Sequence, residues 1–156
     1  MKIITLVTWL LISFIPGFIG SIFTSPSIPV WYASLNKPWF TPPGAFIGFA
    51  WTILYLLMGT AAYFVWEKGF QNNTVKFALM IFIIQLILNG LWSYIFFGSH
   101  LILYAFIEII LLWLFILWTI ILFFPISSVA GWLLIPYILW VSFASFLNFT
   151  VWLLNK

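Results

Sequence analysis

Aromatic and amide side chains recur at helical spacing in three apolar stretches of this sequence. In the first, Trp51, Tyr55 and Met58 lie four and three residues apart, which places them on one face of an α-helix. The faces in the other two stretches carry Gln85, Asn89, Trp92, Ser93 and Phe96, and Tyr137, Trp140, Ala144 and Asn148. Together they predict a pocket walled by flat rings, suited to a large, flat, mostly apolar ligand that binds by stacking and surface burial.

The amide groups on these faces also have a second interpretation. Asn and Gln side chains inside membrane bundles often bond one another and hold helices together. The residues alone leave the pocket and this interhelical bonding equally open. In either case a charged or amide side chain facing lipid costs several kcal/mol. Glu108, Asn89 and Asn148 are therefore predicted to face the interior of the bundle.

The sequence lacks the residue sets that several classes of catalytic and metal sites require. The apolar stretches hold one carboxylate, Glu108, so no acid/base pair is available, and there is no Ser–His–Asp set or Gly-rich phosphate loop. The chain has no cysteine, which excludes disulfides and thiolate chemistry. His100 stands alone in a GSH turn and is predicted to be a surface residue, so no metal site is expected. The net charge of +3 is spread too thinly for nucleic-acid binding.

The composition predicts an integral membrane protein. Of the 156 residues, 66% are hydrophobic and 4% are charged, so the apolar side chains cannot be hidden inside one water-soluble core. Five apolar segments are long enough to cross about 30 Å of hydrocarbon at about 1.5 Å per residue. The predicted fold is an all-α bundle of five transmembrane helices forming a single domain, at about 3–23, 45–66, 77–97, 101–124 and 129–154.

The connection between the first two helices is predicted to be a long, aromatic, proline-rich loop at about 24–42. Pro26, Pro29 and Pro38 restrict its backbone, and its exposed aromatic rings would be costly in water, so it should fold onto the bundle as a lid that a ligand orders. Thr41 is predicted to cap the second helix. An interfacial aromatic belt is an equally open interpretation for several tryptophans, namely Trp31, Trp39, Trp66, Trp132 and Trp152.

Other features concern how the helices pack. Ser13, Gly17 and Ser21 form a small-residue stripe on the first helix, which favours close helix packing over a ligand role. Pro16 and Pro136 predict kinks. With five spans, the residues predicted to share one layer, about 9 to 15 Å below the side that carries the 24–42 loop, are Trp51, Asn89, Glu108, Trp140 and Asn148.

The stretch from residue 31 to 66 resembles the TspO/MBR family, also called translocator proteins, tryptophan-rich sensory proteins or peripheral benzodiazepine receptors. The resemblance continues through LNGLWSYIFFG and WLLIPYILWVSFASFLN and covers nearly the whole chain. The residues in register are Trp31, Tyr32, Leu35, Lys37, Pro38, Pro42, Pro43, Phe46, Trp51, Leu54, Tyr55, Met58, Gly59, Ala61, Val65 and Trp66.

This resemblance implies a five-helix bundle in a bacterial cell membrane that binds tetrapyrroles such as protoporphyrin or haem, requires no cofactor and forms a homodimer. It implies that the protein senses, sequesters or disposes of porphyrins. It also implies a light-dependent degradation of protoporphyrin in which Trp51 and Trp140 are catalytic. The ligand-binding positions that it implies are Tyr32, Trp39, Trp51, Tyr55, Asn89, Trp92, Ser93, Trp140, Phe143 and Ala144.

Two features depart from the family pattern. Phe149 stands where the family's sterol motif has a tyrosine, and the third helix offers few small residues for a dimer seam beyond Ala78 and Gly90. Transport of a porphyrin or another flat apolar molecule is the alternative function, although the sequence shows no inverted repeat. The lysines are too evenly divided between the two sides to orient the chain.

Overall fold

The computed structural model describes residues 2–156, and within that range it is a bundle of helices without a β-strand. The helices are α1 (Ile3–Ser27), α2 (Gly44–Trp66), α3 (Asn73–Ser93), α4 (Ile102–Ile126), α5 (Ser128–Leu133) and α6 (Ile135–Leu154). A π-helical turn extends α1 through Ile28–Tyr32, and another extends α3 through Tyr94–Gly98. Five helical segments are long and apolar enough to cross a membrane, with α5 and α6 together forming the fifth. The prediction of an all-α bundle with five spans is confirmed.

The first span is longer than predicted. Helix α1 does not end near residue 23 but continues to Ser27 and then to Tyr32, so the predicted loop at 24–42 is wrong in its first half. Pro26 lies inside the helix, and Pro29 lies in the π-helical turn. A wider i→i+5 turn lets the chain pass a proline that cannot donate a hydrogen bond. Lipid-embedded helices tolerate proline in this way, since the alternative is unpaired backbone in hydrocarbon.

The connection that remains is residues 35–43, and hydrogen bonds hold it in place. The Lys37 ammonium donates to the carbonyl oxygens of Tyr32 at 2.7 Å and Leu35 at 2.9 Å, which satisfies carbonyls at the end of the extended α1. The predicted Thr41 cap is wrong. The Thr41 hydroxyl donates instead to the Pro38 carbonyl at 2.7 Å, and the residue at the N-cap position of α2 is Pro43.

The fifth span is interrupted at Leu134, two residues before Pro136. Proline has no N–H to donate, and its ring clashes with the carbonyl one turn earlier. The backbone accordingly ends α5 with a tighter bond from the Leu134 N–H to the Gly131 carbonyl at 3.2 Å. The kink predicted at Pro136 is thus a short break, and it starts α6 with Tyr137 completely buried.

Helix α3 packs against α1 and α4, and α1 also packs against α2. The contact between α1 and α2 is close because Gly59 has no side chain there: a Cβ at that position would lie 2.8 Å from the Leu10 Cα. His100 is exposed, as predicted, and takes a left-handed backbone with φ 59°. Its ring stacks on Trp31 at 4.2 Å between centroids, so the turn after α3 supports the end of α1.

Candidate functional site

A cavity of about 700 Å³ lies among α1, α2, α3, α4 and α6, below the end of the extended α1. Its walls are mainly aromatic and aliphatic side chains, with small residues on α1 and α2. Ligand pockets for drug-sized molecules are typically about 300 to 1,000 Å³ and mostly apolar. The interior faces therefore do form a pocket, as the helical spacing of their rings predicts.

Nine of the ten predicted ligand-binding residues line this cavity. They come from three helices, α2, α3 and α6, and from the π-helical end of α1, and they are Tyr32, Trp51, Tyr55, Asn89, Trp92, Ser93, Trp140, Phe143 and Ala144. Trp39 is the exception, because its side chain is 95% exposed and its ring packs edge-on against Phe40 at 5.8 Å. Phe40 turns inward instead and stacks on Phe146 of α6 at 5.5 Å. Trp39 therefore lies outside the pocket wall, because the connection presents the neighbouring ring to the bundle, and its role in ligand binding stays a prediction.

The other tryptophans of the predicted belt divide in the same way. Trp39 and Trp132 are largely exposed, as an interfacial belt requires. Trp66 and Trp152 are partly buried. Trp31 packs against Phe96 at 5.5 Å and stacks on His100. The belt interpretation therefore fits Trp39 and Trp132, whereas Trp31 belongs to the bundle.

Beside the cavity, one chain of hydrogen bonds joins α2, α3 and α6. The Tyr55 hydroxyl donates to Asn89 Oδ1 at 2.9 Å, and Asn89 Nδ2 donates to the Tyr137 hydroxyl oxygen at 2.9 Å. Tyr137 in turn donates to Gln85 Oε1 at 2.8 Å, and Gln85 Nε2 lies 4.0 Å from the Met58 sulfur. Of these side chains, only Tyr55 and Asn89 line the cavity. Interhelical bonding and pocket formation are thus both present in the same residues.

A second polar link lies nearer the 35–43 connection. Trp92 Nε1 donates to Asn148 Oδ1 at 3.0 Å, and Asn148 Nδ2 donates to the Ile102 carbonyl at 3.0 Å. Trp92 and Asn148 both line the cavity. The link ties α6 to the start of α4 and fixes the plane of the Trp92 ring, so the pocket wall at this point is set before any ligand arrives.

Trp51 and Trp140 are in contact with each other in the cavity wall. Their ring centroids are 6.5 Å apart with an interplanar angle of 87°, an edge-to-face arrangement that aromatic pairs prefer. Trp51 also stacks on Tyr55 at 5.5 Å. The indole Nε1 of Trp140 has no hydrogen-bond partner among residues 2–156. The two tryptophans thus form one connected aromatic wall.

Glu108 is buried as predicted, being 7% exposed, but it does not line the cavity. Neither of its carboxyl oxygens has a hydrogen-bond partner in the described part of the chain. Two of its neighbours on the same face of α4, Ile109 and Leu112, do line the cavity. The layer of five residues predicted from depth therefore supplies four cavity residues and one carboxyl group behind the wall.

Helix α1 supplies wall residues that the sequence did not reveal as such. Gly17 lines the cavity, and a Cβ there would lie 2.7 Å from Tyr55 Cε2. The small-residue stripe predicts this close packing correctly. Ser21 of the same stripe also lines the cavity. Ser13 is fully buried and does not line it. Other wall residues without a polar or aromatic signal in their spacing include Gly20, Gly44, Ile47 and Gly48.

No group of three or more His, Asp or Glu side chains within residues 2–156 is close enough to hold a metal ion. The cavity residues offer rings, amides and hydroxyls, and the amides of Asn89 and Asn148 are already bonded to tyrosine hydroxyls, to the Trp92 indole and to a backbone carbonyl. This arrangement can hold a flat molecule by shape and stacking, and it leaves few groups for recognition by charge.

The sequence of this chain is similar to the sequences of known proteins. The model of the TspO/MBR family matches residues 9–153. The chain is 44% identical over 155 residues to the tryptophan-rich protein TspO of Archaeoglobus fulgidus, covering 99% of each chain. It is 42% identical to the protein of that name from Chlorobaculum tepidum, covering 99% of this chain and 98% of the relative. It is 36% identical to the human translocator protein over 86% of this chain and 80% of the relative.

Proposed function

This chain belongs to the TspO/MBR family, and from that premise we propose that it binds a tetrapyrrole such as protoporphyrin or haem and thereby senses, sequesters or disposes of porphyrins. The chain is an integral, multi-pass membrane protein, as its five spans and its family require. The observation that carries the proposal is the cavity of about 700 Å³ walled by aromatic rings from separate helices. The name of one relative, the tryptophan-rich sensory protein of Cereibacter sphaeroides, supports a sensory role.

The cavity walls favour a flat, conjugated ligand over a compact polar one. Trp51, Trp140 and Phe143 present ring surfaces to the same space, and each ring pair contributes about 1 kcal/mol beyond simple surface burial. The amides of Asn89 and Asn148 already have partners. A ligand that demanded several new hydrogen bonds would have to break these, so stacking and burial dominate its binding.

Protoporphyrin titration tests this proposal. Adding protoporphyrin to the purified protein should quench tryptophan fluorescence to saturation. Trp51→Phe and Trp140→Phe should each weaken binding by about fivefold, equivalent to about 1 kcal/mol of stacking. Trp118→Phe is the matched control, because Trp118 lies on α4, is 42% exposed and does not line the cavity. Linear, unsaturated quenching that is the same in all four proteins would contradict the proposal.

A second proposed activity is light-dependent oxidation of the bound porphyrin by dioxygen. The edge-to-face contact of Trp51 with Trp140 in the cavity wall favours it. An indole ring is an electron donor, and a porphyrin stacked on this pair would lie within contact distance of two of them. In this proposal the excited porphyrin loses electrons to dioxygen, which is reduced, and the two tryptophans relay electrons or protons in this transfer without net change.

Illumination of the complex in the presence of oxygen tests this activity. The complex should develop a new absorption band that free protoporphyrin does not give under the same light. Trp140→Phe should lose the band even at ligand concentrations that saturate the cavity, whereas Trp118→Phe should keep it. If protein and free pigment bleach identically, the protein binds porphyrin without turning it over.

Transport is the alternative, and one structural feature bears on it. The fifth span is interrupted at Leu134, as one helix of many carriers is. Carriers of that kind contain two interrupted helices. Among residues 2–156 a second interruption is absent, since the other four spans are continuous, including the two that end in π-helical turns. Protein-dependent porphyrin flux in proteoliposomes would nevertheless establish transport.

A further inference from the structure

We propose that the cavity opens sideways into the bilayer between α1 and α2, and that its ligand enters and leaves through the lipid. This inference rests on the proposed function for the identity of the ligand, and it adds the source of that ligand: a molecule already dissolved in the membrane. The opening lies in the leaflet next to the 35–43 connection.

The first observation is that α1 and α2 touch at one end and separate at the other. They are in close contact at Leu10 and Gly59, and again at Gly17 and Tyr55. Toward the connection the contact is lost. A Cβ built at Gly44 or Gly48 meets no atom of the described chain within 4 Å. The two helices therefore form a V whose wide end is at the start of α2, and Gly44 to Thr52 spans about 12 Å at about 1.5 Å per residue.

The second observation is that cavity residues at this wide end are exposed at the outer surface. Phe18 is 68% exposed and Ile28 is 44% exposed, yet both line the cavity. Ser21, Gly48 and Thr52 are also exposed and also line it. Five residues that belong to both surfaces cluster here, on the facing parts of α1 and α2, and this clustering indicates that the cavity reaches the outside between them. Since these positions lie within spans long and apolar enough to cross a membrane, the outside at this depth is lipid.

The third observation concerns the hydroxyl groups at the mouth. Ser21 donates to the Phe18 carbonyl at 2.7 Å, and Thr52 donates to the Gly48 carbonyl at 2.9 Å. Each hydroxyl is thus satisfied by its own helix, which is how Ser and Thr are accommodated where water is absent. The mouth offers a flat apolar molecule a passage without groups that must be desolvated.

The side facing the connection is closed by comparison. The Asn36 N–H donates to Asn155 Oδ1 at 3.0 Å, and Asn155 Nδ2 donates to the Asn36 carbonyl at 2.9 Å. Lys37 holds the Tyr32 and Leu35 carbonyls. A ligand arriving from water through this side would have to break several hydrogen bonds, whereas the passage between α1 and α2 breaks none.

Binding kinetics in lipid nanodiscs test the route. Gly48→Phe fills the gap between the helices, and protoporphyrin binding followed by tryptophan quenching should then slow about 10-fold in both association and dissociation. The matched control is Ala45→Phe, because Ala45 is exposed one turn away and does not line the cavity; its rates should equal those of the wild type. Unchanged rates in Gly48→Phe, or faster dissociation alone, would overturn the proposal.

A second measurement does not depend on porphyrin binding. The chain has no cysteine, so Gly48→Cys takes a single nitroxide label. Its collisions with lipid-soluble oxygen should exceed those with a water-soluble nickel chelate, and the reverse should hold for Gln71→Cys in the exposed turn between α2 and α3. Nickel-dominated collisions at position 48 would place the mouth in water and overturn the lateral route. If the wild type fails to bind protoporphyrin, the proposed function fails, and this label still decides where the cavity opens.

Discussion

Tyr137 is the side chain at which the polar contacts of three spans meet. It is completely buried, accepts from Asn89 and donates to Gln85. Through Asn89 it is linked to Tyr55 in the cavity wall. Hydrogen bonds in a water-free interior reinforce one another, and a member left without its partner is costly. The position of the wall residue Asn89 is therefore set partly by a residue that the ligand does not touch.

Replacing this hydroxyl gives the first prediction. Tyr137→Phe keeps the ring and removes one hydrogen-bonding group, which leaves Asn89 Nδ2 and Gln85 Oε1 each without a partner. We expect a loss of roughly 1 to 3 kcal/mol in unfolding free energy, measured by denaturant unfolding in detergent. Tyr104→Phe is the control, because Tyr104 is 62% exposed on α4; its effect should stay within about 0.5 kcal/mol. Equal stability of the two variants would contradict a structural role for the network.

The second prediction at this scale concerns Glu108. Its buried carboxyl oxygens lack partners among residues 2–156, and an uncompensated buried charge destabilises the folded state. Glu108→Gln keeps the shape and removes the charge, so its thermal unfolding midpoint should be equal to or above that of the wild type. Glu67→Gln, at the exposed end of α2, should leave the midpoint unchanged. A marked loss of stability in Glu108→Gln alone would show that the carboxylate has a partner outside the described residues.

At the scale of elements, the informative feature is the short connection of residues 35–43. Ordering each residue costs about 1 to 2 kcal/mol in backbone entropy, and the contacts that offset this cost are few: the Asn36–Asn155 pair, Lys37, and the stack of Phe40 on Phe146. The helical part, through Tyr32, has its own backbone hydrogen bonds and support from Trp31 on His100. The segment with marginal order is therefore shorter than the loop predicted at 24–42.

The third prediction follows from this difference. Asn155→Ala removes both hydrogen bonds to the Asn36 backbone, so amide hydrogen exchange should accelerate within residues 35–43 and remain slow in the spans. Residues 25–32 should be protected with and without protoporphyrin, because they are helical. The control Asn73→Ala changes an exposed residue at the start of α3 and should leave the exchange of residues 35–43 as it is in the wild type. Identical exchange of that segment in both variants would show that Phe40 alone holds it.

At the scale of the whole molecule, the question is whether two copies of the chain form a dimer. The family resemblance implies a homodimer, and this stays a prediction. Ala78 is completely buried, and Gly90 is buried with its nearest outside atom, the Pro16 Cα, 3.6 Å from an added Cβ. Both small residues of α3 are thus occupied in packing within one chain. A dimer would have to use other positions, among which the exposed side chains Met80, Ile87 and Leu91 of α3 are candidates.

The fourth prediction tests this arrangement. Light scattering in detergent, corrected for bound detergent, should give a protein mass of twice the 18.1 kDa chain. Ile87→Trp should shift it toward the single-chain mass without altering helix content, because Ile87 is 64% exposed. Phe49→Trp, on the exposed surface of α2, should leave the mass unchanged. A single-chain mass for the wild type would remove the dimer prediction.

The sequence by itself determined the number of spans and which of their polar residues face the interior of the bundle. Lipid makes these properties local, since any apolar segment of sufficient length must cross and any amide or carboxyl group must turn away from hydrocarbon. Asn89, Asn148 and Glu108 are accordingly buried as predicted. The helical spacing of Trp51 and Tyr55 was enough to predict that they share one face of α2, because spacing fixes a face once the helix is certain.

The tertiary structure alone decided the rest, since it depends on how far apart the helices lie and how each is rotated. Pro26 and Pro29 looked like helix breakers, yet packing of α1 against its neighbours keeps that segment helical through a π-helical turn. Trp39 and Phe40 are equally aromatic, and only the path of the connection sends one outward and the other onto α6. Likewise, Gly17 and Gly48 are both glycines inside apolar helices, but Gly17 touches Tyr55 and Gly48 faces open space between two diverging helices.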